Sequence, residues 1–283
     1  MDAQTDIAQR IEKIREIFQQ NYAIAEEQED LNLLAAQLEK TENEYLSIAY
    51  EAASVALAVK DFSNGNKLNL WRFFLEKYAA SHAAQVHAGL GWAMTQQRIP
   101  VSPIIETLDS LMRFRMLDGW GYYDGIFRRR QTLSSQPFSD DENNFLRGYD
   151  QGLGRSFWYI SKGDCTIIPD MIAKFSDSRH ADFWRGVGIA CAYVGGYDEF
   201  ILKELFSLSS SFHAQLSVAA ALVANSRKSA GTITQDVELA CEVWCKKSLG
   251  EVLLIAEKVE PTLVEDANDA YFVWISGIEK NLR

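Results

Sequence analysis

The sequence predicts an all-α protein built from two-helix repeats, and three observations lead to this fold class. Apolar residues recur at spacings of three and four along long stretches, which is the period of an amphipathic helix. The 283 residues contain only five prolines, and they show no series of alternating strands. Motifs of small residues return about every 30 residues, as in stacked helical repeats.

The first segment is helical and acidic. Residues 1–45 hold 11 acidic and 4 basic side chains, which is −7 of the total net charge of −11. Its apolar positions follow helical spacing, namely Ile7, Ile11, Ile14 and Phe18, then Leu31, Leu34 and Leu38. We expect residues 1–44 to form an acidic N-terminal helical cap and residues 45–283 to form the helical-repeat domain.

Local signals place the ends of several helices. Ser139 and Glu142 form a capping box in "SDDE", which starts a helix near Asp140. Ser102 is expected to cap a helix that has Pro103 at its first position. Helices are expected to stop at the glycines of "SKGD" (161–164), "VGGYD" (194–198) and "KSAG" (228–231).

Paired small residues define the repeat. Related motifs occur in "HAGLGWAM", "DGWGYYDG", "DQGLGRSFW", "WRGVGIACAY" and the degraded copy "HAQLSVAAAL". Their first small positions, Gly89, Gly119, Gly152, Gly186 and Gln215, are separated by 30, 33, 34 and 29 residues. Helices rich in large apolar residues precede them, such as "LWRFFLEKYA", "IIETLDSLMRF" and "FILKELFSL". We predict two-helix repeats that curve into an α/α superhelix or a closed α/α ring.

Glycine at these positions costs roughly 1 kcal/mol relative to alanine in a helix, so it requires a compensating reason. A dinucleotide-binding loop is one possibility, but no strand precedes any copy. The third glycine of that fingerprint is also absent from "GLGRSF" and "GVGIAC". Close approach of neighbouring helix backbones is the interpretation that we favour.

The motifs also carry a family resemblance. In order and spacing, "VHAGLGWAM", "LDGWGYYDGIF", "YDQGLGRSFWY", "FWRGVGIACAYVGG" and "HAQLSVAAALVANSRKSAG" resemble domain-of-unknown-function family 1702, from about Tyr45 to Cys245. Members of that family are similar to proteins encoded in bacterial secondary-metabolite clusters, notably for enediyne polyketides. The resemblance implies a biosynthetic context and no defined reaction.

Composition narrows the class of protein. The net charge of −11 argues against a nucleic-acid partner. The longest apolar run, near "LSVAAALVA", is far shorter than the roughly 20 residues of a membrane span. There is no signal-peptide pattern, and four cysteines do not suggest a disulfide framework. We expect a cytoplasmic protein without a membrane span.

Polar and aromatic residues around the glycine pairs are the candidate functional residues. Charged groups among glycines and aromatics on inner helices are expected to face a groove or to be buried, where a shifted pKa suits acid-base chemistry. The acid-base candidates are His87, Asp118 and Asp150. The substrate-binding candidates are Tyr122, Tyr123, Gln151, Arg155, Trp158, Trp184, Arg185 and His213, with Arg155 and Arg185 suited to an anionic group.

A purely structural role competes with this interpretation. Arg147 and Asp150 are three residues apart, as are Asp182 and Arg185, so each pair is suited to an ion pair within one helix. Ionic networks perturb pKa values without any catalytic role. We weigh structure ahead of catalysis for these charges.

Metal and cofactor signals are weak, and we expect neither. His82 and His87 are five apart and lie on different helical faces. Cys241 and Cys245 share a face but have no second pair, which favours core thiols. The acidic stretches "DDENN" (140–144) and "EDANDAYF" (265–272) allow a terpene-cyclase-like reading, but acids at helix starts are explained by capping.

Two main functions follow as hypotheses. The first is a protein that binds a hydrophobic polyene or polyketide-type intermediate, free or carrier-bound, along the glycine-pair helices. Whether it also transforms this molecule stays open. The second is a non-catalytic repeat scaffold for other pathway proteins. The basic cluster Arg128–Arg130, before the loop 131–139, is either a solvated helix end or a site for an anionic carrier group.

Overall fold

The computed structural model describes residues 3–65, 67–132, 143–260 and 269–283; most of these residues are helical and none forms a β-strand. The described residues form sixteen α-helices, numbered in chain order. They are α1 (Ala3–Glu27), α2 (Leu31–Leu38), α3 (Leu46–Ser63), α4 (Asn69–Tyr78), α5 (Ala83–Gln97), α6 (Ser102–Ile105), α7 (Arg113–Phe127), α8 (Arg129–Thr132), α9 (Asn143–Ser161), α10 (Ile168–Ile172), α11 (His180–Val194), α12 (Glu199–Leu208), α13 (His213–Ala230), α14 (Gln235–Ala240), α15 (Leu249–Val259) and α16 (Ala270–Leu282). The all-α prediction is confirmed.

Six long helices make up the centre of the molecule. Helices α3, α5, α7, α9, α11 and α13 pack in this order, each against the next. We call them the central helices. The last of them, α13, also contacts the turn Ala80–His82 just before α5, and Ser226 of α13 hydrogen-bonds Gln85 of α5 at 3.1 Å. Helix α1 packs along α3 and also touches α11.

Glycine pairs set the spacing of the central helices. A Cβ atom on Gly119 of α7 would lie 1.9 Å from the carbonyl oxygen of Ala88 in α5. A Cβ atom on Gly121 would lie 1.9 Å from the carbonyl oxygen of Tyr149 in α9. Residues two apart in a helix point about 200° apart, so one pair serves two neighbours. The predicted role in close helix approach is confirmed.

Most predicted helix ends agree with the structure. Helices α9, α11 and α13 end at Ser161, Val194 and Ala230, next to the glycines expected to stop them. Helix α6 begins at Ser102, but Val101 occupies the capping position and no side chain caps this end. The capping box Ser139–Glu142 and the helix start near Asp140 lie outside the described residues.

One predicted helix is largely absent. The pattern of "IIETLDSLMRF" predicts a helix over 104–114, but α6 ends at Ile105 and α7 begins at Arg113. The carboxylate of Asp109 accepts hydrogen bonds from the backbone amides of Leu111, at 2.9 Å, and Met112, at 3.1 Å. This local bonding competes with the helical hydrogen bonds of the segment.

None of the described helices is by itself long and apolar enough to cross a membrane. One pair, Glu199–Leu208 with Ser210–Ala230, meets the length and composition criteria only when combined, and it is bent by 116°.

Candidate functional site

A cavity of about 800 Å³ lies between α1 and the central helices. All six central helices contribute side chains to its wall, and α1 lies along one side. Its lining includes Ile11, Ile14, Phe18, Ile48, Glu51, Ala84, Ala88, Trp92, Arg115, Tyr122, Ile126, Phe127, Arg155, Tyr159, Ile189, Ala190, Tyr193 and Val223. Exposed lining residues on α1, together with Phe127 and Lys162, mark its opening.

Aromatic rings form one part of the wall. Trp92 of α5 stacks on Phe18 of α1 with ring centroids 4.8 Å apart. The same indole meets Tyr122, Tyr123 and Phe127 of α7 at centroid distances of 5.4 to 5.7 Å. We call these five residues the aromatic cluster. It joins α1 to the central helices, and all of its members except Tyr123 line the cavity and offer apolar surface to a ligand.

Glu51 is the most unusual polar residue of the wall. It belongs to α3, where it is the one charged residue between Leu46 and Val59, and it is only 5% exposed. Among the described residues, no hydrogen-bond donor or cationic nitrogen pairs with its carboxyl group. Burial raises its pKa to about 7, although Arg155 and Arg115 act in the opposite direction. Glu51 therefore holds or releases a proton near neutral pH, which suits a general acid or base.

Arg155 of α9 also lines the cavity. Its guanidinium pairs with the fully buried carboxylate of Asp118 and lies 5.0 Å from the ring centre of Tyr122. Burial lowers the pKa of Arg155, but the carboxylates of Asp118 and Glu51 outweigh this effect and raise it overall. Arg155 is thus a permanent cation whose charge is largely balanced by Asp118.

Arg115 of α7 is buried without such a partner. It is 8% exposed, and its guanidinium makes no hydrogen bond or ion pair with any described residue. The ring of Tyr271 lies near it, with the centroid 5.7 Å from the guanidinium carbon. Arg115 borders both the large cavity and a second one of about 100 Å³.

Three tyrosines bring hydroxyl groups to the same region. Tyr122, Tyr159 and Tyr193 line the cavity, and burial raises the pKa of each. The Tyr193 hydroxyl makes no hydrogen bond of normal geometry with a described residue, although the Ser47 hydroxyl interacts weakly and lowers its pKa. These neutral hydroxyls are available to donate hydrogen bonds.

Behind the wall, a buried polar network joins α7, α9 and α11. Gln151 donates to Asp118 at 2.7 Å and accepts from Arg185, also at 2.7 Å. Tyr271 of α16 donates to the same amide oxygen at 3.0 Å. Arg185 also pairs with Asp182 within α11, as the sequence predicts. Because these partners satisfy one another, Gln151 and Arg185 act here as structural links.

The predicted pair of Arg147 with Asp150 does not form. Arg147 instead pairs with Asp182 of α11 at 3.2 Å. Asp150 receives two hydrogen bonds from Arg179, one of them at 2.8 Å. Burial raises the pKa of Asp150 to about 6, and Arg179 opposes this. Because α9 packs closely against α11, Arg147 reaches Asp182 on α11 and Asp150 reaches Arg179 just before α11. Asp150 does not line the cavity.

His87 is also a packed residue. Its Nδ1 lies 2.8 Å from the carbonyl oxygen of Ala83, which requires the proton on that nitrogen, and its ring meets Trp71 edge-on at 5.1 Å. Burial lowers the pKa of His87 to about 4, so the ring is neutral at physiological pH. It lies outside the cavity lining.

The structure places two predicted site residues, Tyr122 and Arg155, on the cavity wall. Tyr123 belongs to the aromatic cluster, Asp118 supports Arg155, and exposed His213 stacks on Phe206 at 4.0 Å. Trp158 and Trp184 are buried, and the Trp158 indole nitrogen has no partner among the described residues. The functional roles assigned to these residues from sequence stay predictions.

The site residues predicted from sequence do not include Glu51, Arg115, Tyr159 and Tyr193. The strongest available signal was the stretch "YEAASVALAV", where one carboxylate interrupts a run of small and apolar residues. Such a residue is buried in any helix packed on all sides, and a buried acid requires an explanation. Arg115 gave no comparable signal because arginines at 113 and 115 read as a basic helix start.

The described residues contain no group of three or more His, Cys, Asp and Glu side chains placed to hold a metal ion. Cys241 and Cys245 are buried core thiols in a π-helical turn. The basic cluster is divided, since Arg128 bonds the Thr95 carbonyl at 3.0 Å while Arg129 and Arg130 are exposed. Residues 133–142 and 261–268, which hold most of both acidic stretches, lie outside the described residues.

Comparison with known proteins gives a family and no characterised relative. No curated protein and no solved structure matches the chain. One family model, described as a protein of unknown function, matches residues 1–282, which extends the likeness beyond the motifs to both ends of the chain. The chain therefore belongs to the DUF1702 family.

Proposed function

We propose that this protein binds a hydrophobic small molecule of polyene or polyketide type in the cavity between α1 and the central helices. One observation carries the proposal: a cavity of about 800 Å³ with an apolar, aromatic wall and a few convergent polar groups. Ligand sites in proteins typically measure about 300–1,000 Å³ and combine these same features.

We also propose an arrangement of the helices around this cavity. The central helices form a closed ring of two-helix repeats, and residues 1–44 act as a cap on its end. Successive packing from α3 to α13 supports the ring, as does the return contact of α13 with Gln85 at 3.1 Å. The cap is supported by the position of α1 along the cavity. Pockets commonly form where one unit closes over another.

The wall chemistry favours an extended apolar ligand with a polar end. The aromatic cluster lies toward the opening, where Phe127 is exposed. Glu51, Arg115 and Arg155 belong to the interior of the wall. A flat conjugated chain against the rings of Trp92 and Tyr122 gains apolar burial, roughly 25 cal/mol for each Å².

A reaction at this site would use Glu51. Its carboxyl group exchanges a proton near neutral pH, and the hydroxyls of Tyr122 and Tyr159 line the same space. These groups suit proton transfer to or from a bound polyene or carbonyl group. We propose binding as the basic function and proton transfer as the chemistry that the site can add. The family resemblance supports a role in secondary-metabolite biosynthesis.

The scaffold hypothesis makes a different demand on the structure. A scaffold uses an open concave surface with exposed side chains, whereas here α1 lies over the central helices. This position favours the ligand-binding proposal. Contacts with pathway proteins or with a carrier-bound form of the ligand remain compatible with it, because the opening at Phe127 and Lys162 is accessible.

Native mass spectrometry of the protein exposed to a lipophilic extract of its producing organism tests the proposal. The variant Ala84→Phe places a ring in the cavity. The control Ala36→Phe adds the same ring at an exposed position of α2. We expect a discrete added mass on the unmodified protein and on Ala36→Phe that is lost from Ala84→Phe. No added mass on any form, or an equal one on both variants, would refute binding in this cavity.

A further inference from the structure

Two charged side chains on the cavity wall lack an ion-pair or hydrogen-bond partner among the described residues, although Arg115 lies 5.7 Å from the ring centre of Tyr271. Arg115 and Glu51 are 8% and 5% exposed, and neither forms an ion pair or a side-chain hydrogen bond with a described residue. Their charged atoms are more than 4.0 Å apart although both line the same space. A buried guanidinium without a partner is costly, so this arrangement indicates a group that a ligand supplies.

The charges of this region define that group. Arg155 is balanced by Asp118, with which it forms an ion pair. Arg115 and Glu51 remain, and burial favours the protonated form of Glu51. With Glu51 protonated, the region carries one uncompensated positive charge on Arg115, together with one O–H donor. A single carboxylate matches both, because it accepts from a guanidinium and from a carboxylic acid at the same time.

We propose that the ligand is an elongated apolar monocarboxylic acid, with its carboxylate between Arg115 and Glu51 and its chain along the aromatic cluster. The inference rests on the proposed function and specifies its ligand class. Gln85 and Ser226 also line the cavity, but they hydrogen-bond each other at 3.1 Å. A neutral polyene of the same shape lacks the group that Arg115 requires.

Lys162 is an alternative anchor for an acid, because it is a cation at the opening. The other exposed lining cation, Arg15, already pairs with Glu12. It is exposed, so water already solvates its ammonium group and an ion pair there contributes little. Buried Arg115 lacks comparable solvation and gains more from a carboxylate. The two positions predict opposite orientations of the ligand and respond to different substitutions.

Fluorescence titration with cis-parinaric acid, a conjugated tetraene fatty acid, tests the inference against its neutral methyl ester. The variants are Arg115→Gln, Arg115→Lys, Lys162→Gln and, as a control, Arg130→Gln on the exposed face of α8. Circular dichroism and thermal melting establish that each is folded. We expect the acid to bind roughly tenfold or more tightly than the ester, as hydrogen bonds to a charged group imply. Arg115→Gln should abolish this preference, while Arg115→Lys keeps part of it and Arg130→Gln keeps all of it.

The outcomes separate the two proposals. Binding of neither probe overturns the proposed ligand cavity itself. Equal binding of acid and ester leaves the cavity in place and overturns the monocarboxylate inference. A preference that survives Arg115→Gln but disappears in Lys162→Gln also overturns it, because the head group then lies at the opening. If Arg115→Gln does not fold, a weaker acid preference in Arg115→Lys than in Arg130→Gln supports the inference, and an unchanged preference contradicts it.

Discussion

Replacing Glu51 with glutamine tests the electrostatics of the cavity through protein stability. The substitution keeps the size and hydrogen-bonding capacity of the side chain and removes only its ability to ionise. Burial raises the pKa of Glu51 from 4.5 to about 7, and the groups that face it are Arg155, Asp118 and Arg115. The folded protein therefore holds this proton more tightly than the unfolded chain does.

The sign and size of the effect follow from this difference. The protonated carboxyl supports the fold in full below the ordinary value of 4.5, and this support is lost as the pH rises through about 7. The whole difference corresponds to about 3 kcal/mol. Between about pH 5.5 and about pH 8.5, roughly 2 kcal/mol of it is lost. The Glu51→Gln variant lacks this loss.

Urea unfolding of both proteins across this pH range provides the measurement. We expect Glu51→Gln to gain about 2 kcal/mol relative to the unmodified protein as the pH rises. The control Glu16→Gln removes the same type of group from the exposed face of α1, and its difference should not change with pH. A constant difference for Glu51→Gln, or a gain at low pH, would contradict the burial of an unpaired carboxyl.

Three further predictions concern the supports of the cavity. Gly152→Ala places a Cβ atom 1.8 Å from a backbone carbonyl oxygen of α7, so it should cost about 3 kcal/mol or more of unfolding free energy. The control is Gly250→Ala, where a Cβ atom meets nothing within 4 Å, so this variant should be neutral or slightly stabilising. Urea unfolding of both variants checks this, and equal effects would argue against helix contact through glycine. Asp118→Asn leaves the buried cation of Arg155 without its partner and should cost about 3–5 kcal/mol by the same measurement; a loss below about 1 kcal/mol would contradict the pairing. Arg10 of α1 pairs with Asp236 at 3.2 Å and with Glu44 at 3.3 Å. Arg10→Gln should therefore speed amide hydrogen exchange in α1 while exchange in α9 stays unchanged. Equal acceleration in both helices would indicate general destabilisation instead.

Helix type and helix contact were predictable from sequence because both leave local signals. The glycine pairs identify the central helices, since only a missing Cβ allows a neighbouring carbonyl oxygen at the distances found for Gly119 and Gly121. Short outer helices were less predictable. The Asp109 side chain accepts hydrogen bonds from backbone amides that would otherwise form helical hydrogen bonds. The apolar pattern of the segment gives no sign of this competition.

The site was predictable only in part, because proximity to glycine is not proximity to the cavity. Residues just before the first glycine of a pair, such as Asp118 and Gln151, face the neighbouring helix and hydrogen-bond each other there. Residues just after the second glycine, such as Tyr122 and Arg155, line the cavity. Glu51 lies on a helix whose repeat motif is degraded, so the motif did not point to it.

Because the glycine contacts involve backbone atoms, the spacing of the helices and the shape of the cavity depend on different parts of the chain. The distance between α7 and its neighbours is set by backbone atoms at Gly119 and Gly121, whereas Tyr122 and Ile126 on the same helix line the cavity. Exchanging a lining side chain therefore alters the interior without moving the helices apart. A few substitutions of lining residues could therefore adapt the cavity to molecules of different lengths and shapes, while the distances between the helices stay the same.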